Sequence, residues 1–190
     1  QGLELYTTLA HEGFPGHLYQ TVYSNRAFSD RNMDPARKLI WYGGYLEGWA
    51  LYVEFLSYDY AADLLEQAGS TDAAQVARLE KHTRSLQLCM YTLLDLLIHG
   101  EGAGYDQVAE VLGKFGITSQ QACEAVYTYI AEEPCNYPKY YVGYLEILKL
   151  RDTAMDHWGN TYSDLKFHTF YLEQGTSDFS SLEALLLMTN

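Results

Sequence analysis

The 190-residue chain is short of positive charge, of proline and of cysteine, and it has no long apolar run. Twelve Lys and Arg stand against 25 Asp and Glu, a formal net charge of −13. A general nucleic-acid binder needs a basic face to displace counterions from phosphates, and an anionic membrane surface demands the same, so the charge argues against both partners. Three cysteines, Cys89, Cys123 and Cys135, make an odd number with no CxxC spacing. They read as free thiols in a reducing compartment, which makes a cytoplasmic location the expectation. No stretch approaches the ~20 apolar residues of a membrane span, so no membrane-spanning segment is expected. No signal-peptide pattern is visible. There is no internal repeat, no low-complexity linker and no alternating apolar–polar run of any length, so no strand is predicted.

What is present is a globular composition, 48% hydrophobic, with 18 tyrosines against 7 phenylalanines. Tyrosine is apolar with a polar tip, which points to many half-buried positions or a wet cleft. The length suffices for one domain with a sizeable core, expected over residues 1–190. The chain begins with Gln1 inside a helical pattern, and is expected to be a piece of a longer protein.

The periodicity reads as helix almost throughout. LELYTTLAHEGF has apolar residues at helical spacing. Asp34-Pro35 reads as an N-cap followed by Pro at the first helical position. LEGWALYVEFLSYDYAADLLEQAG predicts a long amphipathic helix ending at Gly69, and another is predicted from Asp72 to His99 before the flexible break GEGAG. Thr118 with Gln121 and Ser180 with Glu183 are capping-box patterns. The helix after Thr118 is expected to stop near Glu133-Pro134. Another follows from about Pro138 to Trp158, then two short ones. The fold class is all-α, a multi-helix domain.

One stretch points to chemistry: HEGFPGHLYQ, His11 to Gln20. It has the first two letters of the zinc-protease signature HExxH, but the second histidine comes two residues late. In HExxH both imidazoles share one helical face and reach one zinc, and the glutamate reaches the water that the metal activates. Histidines six apart point ~120° away from each other on a straight helix. Pro15 lacks the N–H that would bond the His11 carbonyl, and Gly16 tolerates unusual dihedrals. Pro-Gly can therefore bulge the helix and swing His17 back; the alternative is a kinked helix with two ordinary histidines. Downstream, YLEGWALYVE places Glu47 and Glu54 seven apart on one face of an apolar stretch. A carboxylate there is costly unless paired or bound to metal. Glu47, thirty residues after His17, is the expected third ligand. Glu54 is either a partner holding a histidine N–H or a solvent-facing charge.

HEGFPGHLYQ followed by EGWALYVE resembles the bacterial domain-of-unknown-function family 885, whose members carry HExxPGHxxQ and then EGWAxYxE. Asp95 to His99, DLLIH, resembles the family's DxGIH segment, with Leu97 where the family has Gly. Pro134 to Gly143 is similar to its P-x-Q-x-x-x-Y-x-x-G segment, with Asn136 in place of Gln and Tyr140 in the tyrosine position. LEILKLR and Phe167-His168 follow the family's ending. The family is grouped with zincin-like metallopeptidases, and its members extend several hundred residues further at the N-terminus. The chain thus resembles the C-terminal, metal-bearing part of such a protein.

The resemblance implies a Zn²⁺-dependent hydrolase, a metallopeptidase of helical architecture acting on a peptide or small amide substrate. It assigns His11, His17 and Glu47 to the metal, with Mn²⁺, Co²⁺ or Fe²⁺ acceptable to the same donors. It assigns Glu12 as general base, and Tyr140 and His168 as candidates for stabilising the oxyanion, with His99 third. His82 and His157 are expected at the surface. Leu97 and Asn136 are expected to alter substrate contacts rather than metal binding. Helical zincins bind substrate between two halves, so the N-terminal part of the same protein is the expected partner, and the isolated fragment is expected to be weak or inactive. The other class of reading is a non-catalytic helical scaffold or binding module with a degenerate site, or one whose ligands hold a structural metal.

Overall fold

Apolar residues recur at helical spacing, and the computed structural model, which describes residues 2–189, is helical accordingly, with no strand among the described residues. In chain order the α-helices are α1 (Gly2–Glu12), α2 (His17–Asp30), α3 (Gly43–Gln67), α4 (Thr71–Asp95), α5 (Tyr105–Lys114), α6 (Gln120–Glu132), α7 (Asn136–Trp158), α8 (Asp164–Gln174) and α9 (Phe179–Leu186). Short 3₁₀ turns cover Pro35–Leu39 and Gly159–Thr161, and a π-helical turn, Leu96–Gly100, prolongs α4. No described helix is long and apolar enough to cross a membrane.

The centre of the molecule is α3. The sequence predicts it as amphipathic, but its first half is buried on nearly every side, from Tyr45 and Trp49 through Leu51, Val53 and Phe55 to Tyr58. It is wrapped by α1, α4 and α7. Its contact with α7 is backbone on backbone: a Cβ on Gly48 would lie 2.6 Å from the Gly143 carbonyl carbon, and one on Gly143 would lie 2.4 Å from the Gly44 oxygen. Small residues at that crossing let the two helices approach more closely than any side chain permits. Tyr45, Trp49 and Tyr52 join Ile147, Leu150, Phe167, Tyr171 and Leu182 in the main core, between α3, α7, α8 and α9. A second cluster, Met90, Leu94, Val108, Leu112 and Ile130, binds α4 to α5 and α6.

Several boundaries differ from the sequence expectation. The α6 N-cap is Ser119, whose hydroxyl accepts from the Ala122 N–H, rather than Thr118. The α9 N-cap is Asp178, accepting from the Ser181 N–H, rather than Ser180; a carboxylate is the stronger acceptor for the unpaired amides of a first turn. Asp34 caps its turn as expected, through the Ala36 N–H. The start of α7 lies two residues before Pro138, which is tolerated because a first-turn N–H has no helical partner. Its N-terminus is held by Asp95, 1% exposed, which accepts the Cys135 and Tyr137 N–H groups at 3.0 and 3.2 Å. Leu97 packs against the cluster that binds α4 to α5 and α6, and is not among the residues lining the cleft described next.

Candidate metal centre

The stretch between the two histidines is a break, not a bulge. Helix α1 stops at Glu12, the chain turns through Gly13 to Gly16 with a cis Phe14–Pro15 peptide, and α2 starts afresh at His17. Proline is compatible with such a turn and not with a continuing helix. Gly16 is required: a Cβ there would lie 1.8 Å from the His11 oxygen and 2.4 Å from the Ala10 oxygen. The Trp49 indole N–H donates to the Pro15 carbonyl at 2.9 Å, pinning the turn to α3. Gln20, buried, donates to the Tyr45 carbonyl, fixing α2 to the same helix. Trp49 and Gln20, two motif residues outside the candidate ligand set, thus hold the histidine-bearing segments against the glutamate-bearing one.

The result is a three-residue cluster. One donor atom each from His11, His17 and Glu47 lie within 4.8 Å of one another. Glu47 Oε2 is 3.2 Å from His17 Nε2 and 3.8 Å from His11 Nε2. The imidazoles meet edge to face, centroids 5.0 Å apart. Zinc bonds of about 2.0–2.1 Å in tetrahedral geometry put donor atoms about 3.4 Å apart, a spacing that the two Glu47–histidine distances bracket. Glu47 Oε2 is also buried with no aligned hydrogen-bond donor among the described residues. An oxygen in that condition costs free energy unless a cation meets it. The residues fit a bound divalent metal.

Behind the ligands is a support. His11 Nδ1 donates to Glu54 Oε2 at 2.8 Å, which turns Nε2 toward Glu47; loss of the Nε2 proton leaves that nitrogen's lone pair for a metal. Glu54 Oε1 accepts from Arg84 Nε at 3.2 Å. Glu54 is buried, so of its two sequence readings the solvent-facing charge is excluded. A carboxylate holding the far nitrogen of a histidine fixes tautomer and ring angle, the arrangement common behind metal ligands. Burial alone would lower the His11 pKa, but the Glu47 and Glu54 carboxylates outweigh it and raise it from 6.5 to about 9. Burial would raise that of Glu47, and the two histidines instead bring it down to about 2.

A cleft of about 510 Å³ opens beside His11, the one residue of the trio that lines it. Among its lining groups are His11, Glu12, Glu54, Arg84, Asn136 and Tyr140. Glu12 is exposed there. The Tyr140 ring lies 6.4 Å from that of His11, at an interplanar angle of 27°. Burial, with the negative Glu47 beside it, pushes its phenol up to about 12, so it stays protonated. Asn136 also lines the cleft.

His168 does not reach it. It packs edge-on against Trp49 and pairs with the Tyr52 hydroxyl at 3.0 Å, lining a separate apolar groove with Phe14, Tyr19 and Leu165. Burial lowers its pKa. That geometry gives the expected oxyanion role of His168 no support, because the ring pairs with Tyr52 and lines the other groove. His99 is likewise diverted, its Nε2 meeting the Ile130 carbonyl at 3.0 Å. His82 and His157 are exposed as expected. Arg84 was not singled out by the sequence; it meets Glu54 across thirty residues of chain, a pairing without local signal.

Fold and site together define an all-helical chain with a two-histidine, one-carboxylate cluster that meets a cleft at His11. The chain belongs to the bacterial family of unknown function DUF885, whose model matches residues 1–186. Among solved structures it is similar to a candidate lipoprotein of unknown function from Shewanella oneidensis, at 23% identity and TM-score 0.72, over 97% of this chain and 32% of that one. A candidate lipoprotein from Colwellia psychrerythraea is similar at 23% identity and TM-score 0.66, over 95% of this chain and 29% of that one. The chain thus spans about a third of the length of these structures. Among curated proteins none matches.

Proposed function

We propose that the chain carries the metal centre of a zinc-dependent hydrolase that cleaves peptide or related amide bonds. The observation behind this reading is the convergence of His11 Nε2, His17 Nε2 and Glu47 Oε2 beside a cleft that also presents Glu12 and Tyr140. Three protein donors with an open side suit a catalytic rather than a structural zinc. When bound, the metal supplies Lewis acidity to the substrate carbonyl and to a water.

The chain's own residues supply the rest. Glu12, exposed at the cleft, accepts the proton of the attacking water at its carboxylate and returns it to the leaving amine. Tyr140, protonated at neutral pH with its pKa near 12, donates a hydrogen bond to the oxygen that gains charge. Glu54, braced by Arg84, keeps the His11 proton on Nδ1. The substrate cleft is completed by further chain, a reading supported by the share of the structural neighbours' length that these residues span.

The test is hydrolysis of a mixed-sequence peptide library by the zinc-loaded full-length protein, followed by mass spectrometry. Cleavage that chelation stops and zinc restores is expected. A metal-loaded protein that cleaves nothing in the library contradicts the reading.

A further inference from the structure

Among the groups lining the cleft, acidic side chains outnumber basic ones: Glu4, Glu12 and Glu54 face it, and Arg84 is its one Lys or Arg. Arg84 differs from an ordinary surface arginine in two ways. Its Nε is fixed by Glu54 Oε1 at 3.2 Å, and Glu54 is itself fixed by His11, so the guanidinium plane is held at a set place relative to the metal ligands. Its side chain is 38% exposed, and no described group accepts a hydrogen bond from its terminal nitrogens. A guanidinium with one edge anchored offers the rest of its N–H groups to a planar two-oxygen acceptor.

From these placements we infer that Arg84 binds a carboxylate of the substrate, which on a peptide is the free C-terminus. This rests on the hydrolase reading above and names its substrate class: peptides cut close to a free C-terminal carboxylate. One imidazole and one carboxylate separate Arg84 from the Nε2 face of His11. An extended peptide advances about 3.3–3.6 Å per residue, so the reach corresponds to a terminus a residue or two beyond the scissile bond. Glu4 and Glu12 repel a second carboxylate elsewhere in the cleft and so favour a single orientation. Glu4 could instead hold an N-terminal amine, but it is exposed on the first turn of α1, with no anchor comparable to the one Arg84 has. Tyr129 and Tyr137 line the same cleft and present apolar faces to the side chain next to that carboxylate.

The experiment compares N-acetylated peptides that differ only in a free or an amidated C-terminus, in the zinc-loaded full-length protein. Hydrolysis gives one readout. Calorimetric binding to the Glu12→Gln protein gives a second that needs no turnover. The free acid is expected to be preferred about tenfold or more in both, as for a hydrogen bond to a charged group. Arg84→Met is expected to remove the preference and Arg84→Lys to keep part of it. Because Arg84 also braces Glu54, the acid-to-amide ratio is the quantity read, not absolute activity. Equal handling of acid and amide, a preference that survives Arg84→Met, or binding of neither peptide overturns the inference. Turnover without any dependence on Arg84 overturns it while leaving the hydrolase reading intact. Arg84-dependent binding without turnover does the reverse.

Discussion

The crossing of α3 and α7 places Glu47 in the site, and its geometry gives a quantitative prediction. Gly48 follows Glu47 directly, and an added Cβ would lie 2.6, 2.8 and 2.9 Å from the carbonyl carbon, oxygen and Cα of Gly143. Carbon atoms in contact prefer about 3.5–4.0 Å, so Gly48→Ala forces the two helices apart by about 1 Å. The atoms struck are backbone, which has no rotamer to escape into. Overpacking of this kind costs about 1–3 kcal/mol, offset by about 0.5–1 kcal/mol of helix propensity gained over glycine. A net loss of about 1–2 kcal/mol lowers Tm by about 2–8 °C in a chain of this size. Gly113 is the control. It lies near the end of α5 with nothing within 4 Å of an added Cβ, so Gly113→Ala is expected to leave Tm unchanged or raise it. Thermal denaturation by circular dichroism on the metal-free proteins measures both. Zinc titration should find Gly48→Ala weaker as well, since Glu47 moves with the helix. If Gly48→Ala melts with the parent and binds zinc equally well, the close crossing does not position the ligand.

The other predictions concern the site itself. Glu12→Gln should retain the metal and lose turnover, checked by metal analysis and peptide hydrolysis on the same sample; turnover at the parental rate removes Glu12 as the base. Glu54→Gln, which keeps the size but weakens the acceptor for His11 Nδ1, should weaken zinc affinity by about 10–100-fold, read by competition with a zinc dye. Zinc affinity should also rise with pH: His11 holds a proton up to about pH 9 in the metal-free protein, the metal needs it neutral, and each unit below that pKa therefore weakens binding by about tenfold. The same shift gives the opposite trend for the metal-free fold. The folded pKa lies above the ordinary 6.5, so the contribution of His11 to stability is full below pH 6.5 and is lost as pH rises through about 9. Urea midpoints of the apo-protein across that window check the sign.

Much of this was legible in the sequence. Helical periodicity and the absence of strand patterns gave the all-α class, because both signals are local. The clustering of His11, His17 and Glu47 was legible too, since HEGFPGHLYQ and EGWALYVE carry these residues together with Gly16, Trp49 and Gln20, whose contacts hold the segments in place. What escaped depends on contacts between distant residues. The turn at Pro15 was read as a bulge because sequence spacing shows that a helix must deviate, not whether it stops. Arg84 joined the site through Glu54, Asp95 proved to hold the start of α7, and His168 turned to Tyr52 and the separate apolar groove. None of these follows from spacing along one helix. The neighbouring choices of cap, Ser119 over Thr118 and Asp178 over Ser180, turned on which side chain's oxygen reached the first free amides.

The most direct test of the central claim is metal content by mass spectrometry, on full-length protein and on its Glu47→Ala variant prepared without chelators or a metal-binding tag. The account predicts about one equivalent of zinc or a comparable divalent ion in the parent and its loss in the variant. A parent that holds no metal even after zinc is added, or a variant that holds as much as the parent, would contradict it.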